Sequence, residues 1–217
     1  YMIRNESKIA FILAHIKKLP YFRLKDLQGL SADKIYLKIL FSRYARKGIL
    51  VRLKKGLYTT RHFLDESQKQ QTFSLYTECL ANTLYSPSYL SLEYVLSRYD
   101  LLMERVSVVT SVSLLKTAKF ANPLGTFSYR SIKRELFFGF EEVADPYQGS
   151  VLMATPEKAL LDYIYFSNEW ESNRDYIEEN IRLQQLDSLK PKRLKEYAKR
   201  FNLKKIFVAV DAILELR

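Results

Sequence analysis

The side chains best suited to chemistry in this sequence are cations and hydroxyls between positions 34 and 55. A helix in this region would carry them on the side away from its apolar stripe, where they comprise Lys34, Tyr36, Lys38, Ser42, Arg43 and Arg46. Arginine and lysine can bond O6 and N7 of guanine, and serine and tyrosine can bond bases or phosphates. Three more cations follow in a short β-prone segment: Arg52, Lys54 and Lys55. Lys54 and Lys55 would neutralise phosphates, which orients a protein on a duplex without discriminating between base sequences.

Two isoleucines interrupt the polar side of this helix. Ile35 and Ile39 fall on the same far face as the cations, which a cleanly amphipathic helix would not show. Either they contact the methyl groups of thymine, or the apolar stripe is wider than the other residues indicate. The sequence leaves both interpretations open.

The net charge of the chain is concentrated at its start. Residues 1–65 hold 15 Lys and Arg against 4 Asp and Glu, a net +11, whereas residues 66–179 carry −6 and residues 180–217 carry +6. Charge concentrated in this way favours one basic face that binds a polyanion, with an ordinary solvated surface as the alternative.

The elements that would position these residues follow a recognisable order. Apolar residues spaced i, i+3, i+4 and i+7 predict a first helix that ends at Pro20 and a third helix from the N-cap Ser31 to residue 47, with a short second helix over 24–30. Gly48 would end the third helix, and a Lys-Lys-Gly turn then joins two β-prone runs in a hairpin over 49–60. Three helices followed by a basic hairpin predict a winged helix-turn-helix over residues 1–65, whose third helix enters the major groove of DNA.

The remaining residues, 66–217, predict a second, mixed α+β domain behind a linker over 61–71. Helices are expected at 72–84, 92–98, 156–166, 175–183 and 192–216, and Thr155 would cap the one that begins at Pro156. Strands are expected at 106–110, 127–132, 136–140 and 151–154, in a small, mainly antiparallel sheet with helices at the C-terminal end. The predicted fold class is therefore α+β.

Motifs for enzymatic chemistry are not found in the sequence. It has no Gly-rich phosphate loop, nucleophile elbow or His-Glu-x-x-His motif. Its single cysteine, Cys79, is expected to fill a core, and His15 to lie on a helix surface. Acidic pairs at Asp100 and Glu104, or at Glu157 and Asp162, leave a metal-dependent nuclease as an alternative. We expect no enzyme activity, no cofactor and no metal site.

The apolar segments are too short for a bilayer. None approaches the roughly 20 residues of a membrane span, and residues 106–115, the longest candidate, are interrupted by Ser and Thr. We expect a cytoplasmic protein that does not bind membranes.

A basic segment near the C-terminus has two interpretations. Eight cations lie in residues 190–205: Lys190, Lys192, Arg193, Lys195, Lys199, Arg200, Lys204 and Lys205. They form either the solvated surface of a helix, which we favour, or a second contact with DNA or RNA.

Five segments, in order, resemble the AbiEi-type antitoxins, winged-helix regulators of type IV toxin–antitoxin and abortive-infection systems. The likeness covers about residues 30–165, and its segments are RLKKGLY at 52–58, SPSYLSLEYVL at 86–96, LGTFSYR at 124–130, FFGF at 137–140 and ATPEKALLD at 154–162. The last segment can also mark a well-capped helix start without being a site.

The resemblance implies a repressor that binds the operator of its own operon. It also implies an antitoxin that counteracts a co-encoded nucleotidyltransferase toxin without binding it directly. The chain ends sooner after its C-terminal helices than the longer relatives do, which puts that part of the family's function in doubt. Two other classes remain open, namely a metal-dependent nuclease delivered by the winged helix and a ligand-responsive transcription factor.

Overall fold

The structure is a computed structural model that describes residues 2–27, 34–104, 106–167 and 183–216, with side chains from Ile9 onward. The expected N-cap Ser31 and nearly all of the helix expected at 175–183 lie outside these residues. The chain divides into two compact units. The N-terminal unit comprises Tyr1–Thr77 and Phe120–Leu124, and the C-terminal unit comprises Glu78–Lys119 and Gly125–Arg217.

The N-terminal unit packs helices against a small antiparallel sheet with the strand order β1-β3-β2. Its elements are α1 (Met2–Ile16), β1 (Phe22–Arg23), a 3-10 helix (Leu24–Leu27), α2 (Lys34–Arg46), β2 (Leu50–Lys54), β3 (Leu57–Thr60), α3 (Arg61–Lys69) and the first residues of α4 (Phe73–Leu84). The predicted third helix and the hairpin are therefore present, and the predicted second helix is a 3-10 helix as far as Leu27.

The apolar stripes of α1 and α2 build the core of this unit. Ile12 and Ile16 are buried on α1, and they lie in one cluster with Leu37, Leu40 and Phe41 of α2. The ring of Phe41 packs edge-on against Tyr58 of β3, with ring centroids 5.2 Å apart. The helices and the hairpin of this unit therefore share one core.

Gly48 ends α2 as predicted. It adopts a left-handed φ of +72°, its N–H donates to the carbonyl of Ala45 at 3.0 Å, and the N–H of Ile49 donates to the carbonyl of Tyr44 at 3.0 Å. This pair of bonds is the Schellman motif, which satisfies the last carbonyls of a helix and favours glycine at its left-handed position.

The predicted linker is wrong, because residues 61–69 form α3. The Thr60 side chain caps this helix by accepting from the N–H of Phe63 at 3.1 Å, and Leu64 and Ser67 are buried. The predicted domain boundary after residue 65 thus falls inside α3. Because α3 is mostly polar and buries only one side, the sequence shows no apolar periodicity that would predict this helix.

The larger sheet has six strands in the order β6-β7-β5-β4-β9-β8. Five of them belong to the C-terminal unit, and β6, over 118–122, runs into the segment Phe120–Leu124 that is assigned to the N-terminal unit. After α4 the elements are β4 (Ser88–Leu90), α5 (Leu92–Arg98), β5 (Val108–Ser113), β6 (Ala118–Asn122), β7 (Gly125–Ser131), a 3-10 helix (Arg134–Leu136), β8 (Phe140–Asp145), β9 (Gly149–Ala154), α6 (Pro156–Phe166), a 3-10 helix (Leu186–Ser188), α7 (Pro191–Phe201) and α8 (Lys204–Glu215).

The α+β class is confirmed, but the large sheet is mixed rather than mainly antiparallel. β4 pairs antiparallel with β5 and parallel with β9, and β5 pairs parallel with β7. β4 has only three residues and therefore gives no alternating signal, yet it joins the two halves of the sheet. The strand predicted at 136–140 is also wrong: Leu136 and Phe138 are buried from a 3-10 helix and a loop, and β8 begins only at Phe140.

The described helices of this unit agree with the sequence. α5 and α6 have the predicted bounds, and the Thr155 side chain accepts from the N–H of Lys158 at 3.3 Å. The helical region predicted over most of 192–216 consists of two helices, separated at Asn202 in a left-handed conformation with φ +50°. None of the helices in the described residues combines the length and the apolar character that crossing a bilayer requires.

Candidate nucleic-acid interface

The exposed side of α2 carries most of the predicted contact residues. Its buried side is formed by Leu37, Leu40 and Phe41. The opposite side exposes Lys34, Lys38, Ser42, Arg43 and Arg46. The structure therefore brings five of the six predicted helix residues to one continuous surface.

Tyr36 is the sixth residue and lies elsewhere. Its side chain is half-buried and packs against the core cluster of the unit. Tyr36 thus supports the helix from the edge of the core, in contrast to the five exposed side chains.

The isoleucines on the far face of α2 are exposed, so the buried apolar stripe of this helix does not include them. Ile35 is 70% exposed and Ile39 is 63% exposed. A contact of these two side chains with thymine methyl groups stays a prediction.

The β2–β3 hairpin adds cations in the same unit. Arg52 and Lys55 are exposed, whereas Lys54 is half-buried. Partial burial lowers the pKa of Lys54, and the positive charge of Arg23 lowers it further. The lowered pKa thus reflects burial first and then the electrostatic repulsion between Arg23 and Lys54.

Arg23 is a candidate that sequence reasoning missed. It lies on β1, where it pairs with Leu57 of the hairpin. A strand of two residues has no periodicity, so only the sheet register places Arg23 beside the hairpin.

The helix and the hairpin of this surface carry no carboxylates of their own, although the exposed Asp26 side chain accepts from the backbone N–H of Arg23 at 2.7 Å. α2 and the hairpin contain no Asp or Glu. Six exposed cations form no ion pair with a carboxylate among the residues that the structure describes, namely Lys34, Lys38, Arg43, Arg46, Arg52 and Lys55. By contrast, Lys69 of α3 pairs with Glu66 at 2.9 Å. An ordinary solvated surface mixes both signs of charge, so this face has the electrostatic character of a polyanion site.

A second polar cluster lies in the core of the C-terminal unit. Lys158 and Asp162 of α6 are fully buried and form an ion pair one turn apart. The hydroxyls of Tyr89 and Ser91 donate to Asp162 at 2.9 and 2.8 Å, and the Lys158 ammonium donates to the Tyr89 hydroxyl at 2.9 Å. Burial raises the pKa of Asp162, and the nearby Lys158 charge opposes that rise.

Aromatic rings complete the environment of Lys158. Its Nζ lies 5.3, 5.0 and 4.8 Å from the ring centroids of Tyr89, Phe138 and Phe201, distances at which cation–π attraction operates. Three of the five sequence segments that carry the family resemblance, at 86–96, 137–140 and 154–162, therefore meet at one buried cluster. Because Lys158 and Asp162 are 0% exposed, this cluster supports the fold and offers no surface to a partner.

Three of the eight cations in the basic C-terminal segment make contacts with other parts of the protein. Arg193 lies 3.3 Å from Glu141 and 3.8 Å from buried Glu157, and the Arg200 guanidinium lies 3.4 Å from the ring centroid of Phe138. The Lys205 ammonium donates to the carbonyls of Tyr165 and Ser167. These contacts favour the interpretation of this segment as a helix surface.

The acidic pairs considered for a nuclease are not arranged as a metal centre. Asp162 is engaged as described, and Glu157 accepts from the N–H of Lys190 at 2.8 Å, which holds the start of α7. Asp100 and Glu104 are exposed. Across the described ranges of the chain, no three His, Cys, Asp or Glu side chains are grouped so that they could hold a metal.

The remaining candidates are a cysteine, a histidine and a cleft. Cys79 is fully buried and His15 is exposed, as predicted. A polar cleft of about 440 Å³ in the C-terminal unit presents Glu93, Thr110 and Arg130, among other side chains.

Comparison of the chain with protein-family models and with curated proteins gave no match.

Proposed function

We propose that the N-terminal unit is a winged helix-turn-helix that binds double-stranded DNA, with α2 in the major groove and the β2–β3 hairpin on the phosphate backbone. The observation that carries this proposal is the carboxylate-free basic surface of α2 and the hairpin. Both elements belong to one unit and share one core through Phe41 and Tyr58. The order of a groove helix followed by a basic hairpin matches the docking requirements of this motif.

The proposal extends to regulation through the resemblance to AbiEi-type antitoxins. On this proposal the DNA is the operator of the protein's own operon, and the protein counteracts a co-encoded nucleotidyltransferase toxin without direct contact. Three of the segments that carry this resemblance meet around Lys158 in the core of the C-terminal unit, so their residues are explained by packing there. A nucleotidyltransferase gene directly downstream is the genomic observation that this proposal expects.

The DNA-binding test uses the full chain and a short, fluorescently labelled duplex of mixed sequence. Anisotropy is measured between about 50 and 200 mM KCl, and the logarithm of the binding constant should fall against log salt with a slope of about −3 to −5, since each phosphate contact contributes about −0.9. A slope near zero, or no binding, would refute the proposal.

Matched charge variants locate the interface. Lys38→Gln with Arg46→Gln removes two cations from α2 and should reduce both the affinity and the slope. Lys133→Gln with Arg134→Gln removes two exposed cations from the C-terminal unit and should leave both unchanged. If the second pair weakens binding as much as the first, α2 is not the interface.

A further inference from the structure

The exposed face of α2 has an apolar centre. At 3.6 residues per turn, Ile35, Ile39, Ser42 and Arg46 follow the spacing i, i+4, i+7 and i+11. They form one stripe directly opposite Leu37, Leu40 and Phe41, which are buried. The two isoleucines are 70% and 63% exposed, and we call these four residues the central stripe.

Cations lie on both sides of the central stripe. The helical spacing places Lys38 on one side and Arg43 on the other, and both are exposed. Single exposed apolar residues are ordinary on protein surfaces, whereas here two lie one turn apart in the middle of a cationic helix face. A partner that matches this face presents negative charge at its edges and apolar groups between them.

The major groove of DNA has this arrangement. Phosphates line both edges of a groove about 12 Å wide, and the C5 methyl of thymine is the apolar group among the base edges at its floor. Ile35 and Ile39 are separated by about 6 Å along the helix axis, and stacked bases by about 3.4 Å. Two thymines one or two base-pair steps apart therefore match the spacing of the two side chains.

We propose that Ile35 and Ile39 determine sequence preference by contacting the C5 methyl groups of two neighbouring thymines in the major groove. This inference rests on the proposed DNA binding and adds the class of operator that the protein prefers. Ser42 and Arg46 continue the same stripe and supply hydrogen bonds to the adjoining base pairs.

The experiment tests the contribution of the thymine methyl group alone. The preferred duplex is first selected with the full chain from a random-sequence pool. Each thymine of the selected duplex is then replaced singly by uracil, which keeps the hydrogen-bonding groups and lacks the methyl. At two positions within two steps of each other, uracil should weaken binding about fourfold each, the effect of losing one buried methyl-sized group.

Protein variants complete a double-mutant cycle. Ile35→Ala should abolish the thymine–uracil difference at one of the two positions and Ile39→Ala at the other, because the methyl then has no side chain to contact. Both substitutions preserve the core, since the side chains are exposed, and alanine favours the helix. Phe11→Ala, which removes an apolar side chain on α1 that is 60% exposed, should keep both differences.

Salt-dependent binding without any effect of uracil, or an unchanged uracil effect in both isoleucine variants, overturns this inference and leaves the proposed function standing. Loss of self-association in those variants by sedimentation velocity, with DNA affinity unchanged, makes the central stripe a protein interface and also overturns it. Failure of the wild-type chain to bind any duplex refutes the proposed function itself.

Discussion

Lys158 and Asp162 carry opposite charges in a place that water does not reach. Such a pair is sustained only when its remaining hydrogen-bonding capacity is satisfied, and here the hydroxyls of Tyr89 and Ser91 serve Asp162 while three rings surround Lys158. The cluster joins β4, α6, α7 and the loop before β8. Its integrity should therefore determine the stability of the C-terminal unit.

Replacement of Lys158 tests this role. Lys158→Met leaves the Asp162 carboxylate buried without its partner, so the free energy of unfolding in urea should fall by about 3–5 kcal/mol. Adding Asp162→Asn removes the remaining charge and should recover part of the loss. Lys195→Met, at an exposed position of α7, should change stability by less than about 0.5 kcal/mol. A small effect of Lys158→Met alone would show that the pair contributes little.

Cys79 gives the stability a dependence on pH. Burial, followed by the nearby Asp145 carboxylate, raises the pKa of its thiol to about 12, whereas an unfolded thiol ionises near 8.5. The folded state therefore keeps a proton that the unfolded state releases, and the stability due to Cys79 is lost as pH rises from about 9 toward 12, at up to about 1.4 kcal/mol per unit. Urea unfolding at pH 7, 9 and 10 should show a steeper decline for the wild type than for Cys79→Ala. Parallel profiles would contradict the prediction.

Two glycines of the C-terminal unit have left-handed backbone angles but differ in the space around them. Gly139 and Gly149 both have left-handed φ angles, +74° and +86°. A Cβ at Gly139 would lie 3.0 Å from Lys158 and from Tyr197, whereas a Cβ at Gly149 would meet nothing within 4 Å. The first position is thus restricted by conformation and by space, and the second by conformation alone.

Alanine at the two positions should therefore have unequal effects. Gly149→Ala should destabilise the protein by about 1–2 kcal/mol, the cost of a left-handed conformation. Gly139→Ala should add about 1–3 kcal/mol for overpacking against the buried cluster. Urea unfolding of both variants measures the difference, and equal losses would mean that the space around Gly139 adjusts freely.

The hairpin and α2 should affect DNA binding differently. Lys54→Gln with Lys55→Gln should weaken binding to all sequences alike and make the salt slope shallower by up to about 1.8, because each lost phosphate contact removes about 0.9. Lys38→Ala or Arg43→Ala should instead alter the preferred sequence, at about 1–3 kcal/mol per lost base contact. Competition binding with selected and random duplexes distinguishes these effects. A hairpin variant with altered sequence preference would contradict this assignment of roles.

How far the sequence predicts these elements depends on the length of the local signal. The apolar stripes of α1 and α2, the caps at Thr155 and Pro156 and the stop at Gly48 all lie within a few residues, and the sequence predicts each of them. α3 has one buried side in a polar segment, and β4 has three residues in the middle of a sheet, so long-range contacts decide both. In the candidate interface the exposed cations were predictable, whereas Arg23 reaches it only through the register of β1 with β3.

For the whole molecule, the division into two units predicts separable tasks. A chain cut at residue 65 would interrupt α3, so full-length variants are the better test. Lys38→Gln with Arg46→Gln changes only the N-terminal unit, and under the proposed function it should abolish repression while keeping protection against the proposed toxin. A reporter fused to the promoter and a toxin-induction growth assay measure the two activities. Loss of both activities in a protein that melts at the wild-type temperature would contradict the division of tasks.

The N-terminal unit is discontinuous in the chain, and this affects how it is made. Phe120–Leu124 belongs to it, and the Asn122 side chain donates to the carbonyl of Leu53 at 3.2 Å. Between Thr77 and Leu124 the ribosome must add 47 residues, which takes about 2–9 s at ordinary rates of synthesis. During that interval the nascent N-terminal unit lacks its final segment. The unit that would bind DNA is therefore completed only after translation of the C-terminal unit has begun.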